Sequence, residues 1–139
     1  MKKKIGLGFA MLLTVITLAA CGRSNKLSEE FDEAEVQAAA EKLVDYINAD
    51  DVEGFCSVPM SAEMKETMTP EYTKSVFDQY IGNRGAFVEY KSNTVVGATR
   101  QGTGEECAAA VVVAKYENQK VTYTISYDVD MNLIGFYLK

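Results

Sequence analysis

Three cysteines, eight tyrosines and a polar trio near the C-terminus carry most of the chemistry open to this 139-residue chain. It has no histidine. That absence removes the serine and cysteine nucleophiles that lean on histidine, and with them the common zinc sites. Acid–base work is left to aspartate, glutamate and tyrosine. Tyr123 and Tyr127 fall four apart in an alternating stretch, so they share one strand face. With Tyr116 from the preceding strand and Tyr80 from a helix they are candidates to line a pocket. Two readings are open: a tyrosine–carboxylate catalytic pair, or core packing with hydroxyls at the rim. Asp128 points away from the Tyr127 face, which favours packing. Asp128, Asp130 and Asn132 hint at calcium, but the glycine at position six and the closing glutamate of the twelve-residue signature are missing. A hairpin turn explains the same residues, and no cofactor is called for.

Cys21 stands where an apolar segment gives way to a polar one. A cationic head, Lys2 to Lys4, precedes the run Ile5 to Ala20, which ends in small residues as a secretory signal does. The run falls short of the about 20 predominantly apolar residues that a spanning helix needs. Leu18, Ala19, Ala20, Cys21 and Gly22 resemble the lipobox of bacterial lipoproteins. The resemblance implies cleavage before Cys21, a diacylglyceryl group on its thiol, and a domain tethered to the bilayer on the extracytoplasmic face of the cell membrane. Each buried methylene contributes about 0.8 kcal/mol, so two or more acyl chains anchor stably. An ordinary signal peptide or an uncleaved anchor would leave the cysteine unexplained.

In that oxidising location Cys56 and Cys107 are candidates for a disulfide. It would tie a short helix to the second strand across 51 positions, and chain-entropy models assign such a loop about 4 kcal/mol. Two buried reduced cysteines are the alternative.

Cleavage would leave 119 of the 139 residues, a single-domain length. Lys2, Lys3 and Lys4 depart with the leader, so 11 basic residues face 20 acidic ones, a balance of −9. Such a surface repels phosphate backbones, which excludes nucleic acid as a partner.

These residues must be positioned by helices first and strands afterwards. The polar stretch 21–29 reads as a tether and 30–139 as one domain. Val36, Ala40, Leu43 and Ile47 recur at helical spacing, with acidic residues at the start to suit the dipole. Asp50 and Asp51 break this helix. Short helical pieces follow at Val52–Cys56 and Ser61–Met68, and Thr69-Pro70-Glu71 starts another, with Tyr72, Val76, Phe77, Tyr80 and Ile81 as its apolar face. After Gly85 the period becomes two, and strands are predicted at Phe87–Thr99, Cys107–Tyr116, Val121–Tyr127 and Leu133–Leu138. The expectation is an α+β fold, with N-terminal helices packed on a four-stranded, mostly antiparallel meander.

Leu43, Tyr46, Ile47, Asp50, Asp51, Val52, Phe55, Met64, the Thr69-Pro70-Glu71 start, Gly85 with Phe87, Tyr127-Asp128-Val129-Asp130 and Ile134-Gly135 together resemble a family of small secreted bacterial domains of unknown function. That family sits in the nuclear-transport-factor-2-like (cystatin-like) superfamily. The resemblance implies a sheet and helices able to enclose a pocket, in which some members use tyrosine and aspartate for isomerase chemistry. Two features depart from the pattern. The tryptophan common in the last helix is absent, with Phe77 or Tyr80 as stand-ins, and Phe87 and Tyr90, three apart, point to opposite faces unless a bulge intervenes.

The leading functional expectation is a membrane-tethered, non-enzymatic binding domain for a small apolar ligand or a protein partner. The alternative is a small isomerase- or cyclase-like enzyme, whose mark would be an enclosed carboxylate within about 3 Å of a tyrosine hydroxyl.

Overall fold

In the computed structural model, residues 26–100 and 102–139 are described; the leader and Cys21 lie outside them. Among the described residues four helices, α1 (Glu33–Asn48), α2 (Val52–Ser57), α3 (Ala62–Thr67) and α4 (Pro70–Ile81), precede four strands, β1 (Phe87–Thr99), β2 (Glu106–Tyr116), β3 (Lys120–Tyr127) and β4 (Leu133–Leu138). The strands form one antiparallel meander in chain order. This is the expected α+β architecture. No helix among the described residues is long and apolar enough to cross a membrane.

Local chemistry sets the helix limits. Asp32 caps α1 by accepting from the Ala34 and Glu35 amides, and Val36, Ala40, Leu43, Val44 and Ile47 form its buried stripe. Asp50 takes a left-handed φ of 56°, which ends the helix and lets Asp51 cap α2 through the Gly54 amide. Ser61 caps α3 and Thr69 caps α4. Between α2 and α3 the chain is tied to the sheet edge: Leu133 N–H donates to Pro59 and Ser61 N–H donates to Leu133.

Only one sheet face meets the helices. Ala108, Ala110, Val112, Ala114 and Tyr116 of β2, and Val121, Tyr123, Ile125 and Tyr127 of β3, join the helical stripe in a single core. Burying each large side chain there contributes about 1.5–3 kcal/mol. Phe87 and Tyr90 both reach this inner face, because the register shift at Phe87/Glu89 resets the alternation of β1 between them. Their rings meet at 4.9 Å.

Two expectations are corrected. Cys56 and Cys107 are not joined. Cys56 packs on the helix-side core, its Sγ 3.5 Å from both the Met68 carbonyl and Thr73 Oγ1. Cys107 is offset by one residue from the core-facing Ala108 and pairs with Ala98, so it belongs to the opposite sheet face. Strand parity, invisible until the register is set, separates the thiols. Over residues 70–80 of α4 the buried residues are Thr73 and Phe77, whereas Tyr72 and Tyr80 are about half exposed. Over those residues the helix presents a narrower stripe than Tyr72, Val76, Phe77 and Tyr80 suggest, and of the two tryptophan stand-ins only Phe77 is buried.

Candidate functional site

The loop between α4 and β1 places a guanidinium inside the core. Asn83 O and Arg84 O accept hydrogen bonds from the Asn118 side chain and amide, and the Glu117 amide donates to Ala86 O, so the loop is clamped to the β2–β3 hairpin. Gly85 makes the turn possible. Its φ is 83°, and a Cβ there would come within 2.8 Å of Glu117 Cβ. The clamp leaves Arg84 only 1% exposed, its guanidinium carbon 4.4 Å above the Tyr116 ring.

From Arg84 a hydrogen-bonded chain crosses the inner face. Arg84 Nη1 donates to the Tyr123 hydroxyl at 2.6 Å. The Tyr123 and Tyr116 hydroxyls are 2.8 Å apart, and Tyr116 donates to Asn48 Oδ1 at the end of α1 over 2.5 Å. With the Tyr116 proton spent on Asn48, Tyr123 supplies the proton between the two phenols, so every O–H bond points away from Arg84. Burial, followed by the hydrogen bond with Tyr123, pushes the Tyr116 phenol above its ordinary value of 10, while Arg84 pulls the other way. The Tyr116 phenol therefore stays protonated at neutral pH and carries no charge to set against the guanidinium.

Among the described residues the charge of Arg84 is met by the Tyr123 hydroxyl and by the Tyr116 and Tyr123 rings. Among the described residues no carboxylate forms an ion pair with it. Its Nε and Nη2, and Asn48 Nδ2 at the far end of the chain, are buried and make no hydrogen bond with any described residue. Guanidinium groups do not deprotonate in proteins, and buried charges are normally paired. The site is thus rich in donors. The aromatic row continues from Tyr123 to Phe136 at 6.2 Å, and through Phe55 to Phe77.

Of the four tyrosines singled out from sequence, Tyr116 and Tyr123 meet in this network. Tyr127 is buried on the same face, and burial raises its phenol, but it makes no hydrogen bond with a described residue. Tyr80 is 46% exposed and lies outside the site, because Thr73 and Phe77 take the inward face of α4. A tyrosine–carboxylate pair does exist, in an unexpected place. Tyr90 donates to Asp45 Oδ1 at 2.7 Å, where Asp45 is exposed. Burial first, and this hydrogen bond second, raise the Tyr90 phenol. Asp128 is occupied by its own turn: Oδ1 accepts from the Asp130 and Asn132 amides, and Oδ2 from the Asn132 side chain. Sequence reasoning missed Arg84 and Asn48. The one available signal was an arginine held between Gly82 and Gly85 just ahead of a strand, and arginine is almost never fully buried without a partner.

A family model described as "Protein of unknown function (DUF3887)" matches residues 40–136. The chain belongs to that family. Asn48, Arg84, Tyr116 and Tyr123 all lie within the DUF3887 segment. The DUF3887 chain is also similar to the NMR structure of a protein from Ruminococcus gnavus ATCC 29149, with 26% identity and a TM-score of 0.67, over 81% of this chain and 96% of that one. No curated protein matches.

Proposed function

We propose that this DUF3887 protein is a non-catalytic binding domain of the nuclear-transport-factor-2-like kind, tethered through an acylated Cys21 to the extracytoplasmic face of the cell membrane. The observation that carries the binding role is the buried Arg84, whose Nε and Nη2 donors have no partner among the described residues. Hydrogen-bond donors beside a phenol kept protonated, as that of Tyr116 is, recognise a ligand; they do not abstract a proton from one. The tether rests on the lipobox resemblance at Leu18 to Gly22.

A second reading, a small isomerase- or cyclase-like enzyme, is favoured by the Tyr90–Asp45 contact alone. Asp45 is exposed and its partner phenol is raised, so the pair lacks the enclosure that such chemistry uses.

The test is a pull-down of the lipidated protein from its own membranes, with bound proteins and extracted small molecules read by mass spectrometry. A reproducible partner or ligand, lost in the Arg84→Met protein, is expected. Capture that does not depend on Arg84, or no capture at all, would remove the site from the account. In parallel, Cys21→Ser should move the protein to the soluble or secreted fraction, and retention on membranes with the leader cleaved would remove the lipid anchor.

A further inference from the structure

The unpartnered donors of Arg84 are two particular ones. Nη1 is engaged by Tyr123, so the remaining Nε and Nη2 lie side by side on one edge of the guanidinium. Two parallel N–H bonds at that edge match the two oxygens of a carboxylate. The charge count points the same way. All eight lysines among the described residues are exposed and none joins the network, so one guanidinium balances one negative charge and would leave a phosphate dianion undercompensated. The neighbours are aromatic: the Tyr116 ring lies against the guanidinium, and Tyr123 leads on to Phe136.

We infer that the Nε/Nη2 edge of Arg84 binds the carboxylate of a small organic monoacid whose apolar body lies against the aromatic residues of the inner sheet face. This rests on the binding-domain reading and narrows it to a ligand class. Bidentate pairing removes the cost of an unpaired buried cation, and the apolar body adds burial that inorganic anions cannot supply.

The experiment titrates the purified full chain with benzoate, acetate, inorganic phosphate and the neutral isostere benzamide, each at constant ionic strength. The readouts are thermal shift and ¹⁵N NMR of the arginine Nε–H signals. The chain has only three arginines, Arg23, Arg84 and Arg100, so Arg23→Lys and Arg100→Lys assign the Arg84 signal in otherwise native protein. Saturable movement of the Arg84 Nε–H with benzoate is expected, with acetate and benzamide each weaker by about tenfold or more. Arg84→Met, if folded by circular dichroism, should lose the benzoate response. The Nε–H titration stands independently of whether that variant folds.

Equal binding of benzamide, preference for phosphate, or movement confined to Arg23 and Arg100 would each overturn the inference. So would the absence of any saturable response at millimolar benzoate. If these acids fail while the membrane pull-down returns an Arg84-dependent partner or ligand, the binding domain stands and only the carboxylate class falls. If both fail, the binding reading falls with it.

Discussion

The Asp128 turn and the Arg84 network are both dense in polar groups, yet they end in opposite states. Around Asp128, neighbours two and four residues away spend its oxygens on backbone and side-chain donors, so the turn is complete in itself. Around Arg84 the members come from residues 48, 84, 116 and 123, brought together by three separate elements and a loop, and donors remain unspent. Asx turns close over a few residues because a short side chain reaches its own backbone. A buried network assembled from distant segments has no such local closure, and its incomplete hydrogen bonding is a pointer to function.

The largest effect that would sharpen this contrast is at Tyr123. Tyr123→Ala should lower stability by about 3–5 kcal/mol, since it deletes a fully buried ring. Tyr123→Phe keeps the ring and frees Arg84 Nη1, so a smaller loss of about 1–3 kcal/mol is expected. Urea unfolding of both variants separates packing from hydrogen bonding, and an unchanged stability in Tyr123→Phe would mean that the hydroxyl contributes nothing.

Alkaline pH should strain the network next. The Tyr116 phenol is raised in the folded state, as are Tyr90 and Tyr127, so above about pH 10 the unfolded chain sheds protons that the folded one keeps. Stability should therefore be fully present below that pH and fall as pH rises through it. The slope should flatten in Tyr116→Phe. An unchanged slope in that variant would show that its hydroxyl is not held protonated by the network.

At the other region the effect is local. Asp128→Ala should cost about 0.5–1.5 kcal/mol through loss of the turn's hydrogen bonds, without touching the Arg84 Nε–H signal. Calcium should restore nothing in the variant. A calcium-dependent shift in the native protein would break the contrast, because the carboxylate would then have capacity beyond its turn.

The smallest expected effect is none. Reducing agent should leave the melting temperature unchanged, since Cys56 and Cys107 occupy opposite sides of the sheet. A drop on reduction would mean that the register of β2 differs from the Ala98–Cys107 pairing.

Sequence alone was enough for the order of helices and strands, the Thr69-Pro70-Glu71 helix start and the meander, because each depends on interactions within a few residues. Thr69 caps where a short polar residue precedes a helical pattern, and alternation in Val121–Tyr127 marks the inner face of β3. It also marked Tyr116 and Tyr123 as inward-facing. Tertiary structure decided what parity and composition leave open. The β1 bulge between Phe87 and Glu89 turned Phe87 and Tyr90 to one face, and strand register put Cys107 across the sheet from Cys56. The clamp between the Arg84 loop and the Glu117–Gln119 hairpin carried a cation into the core. That last outcome defies the usual preference of arginine for water, and it follows from backbone hydrogen bonds made between segments over thirty residues apart.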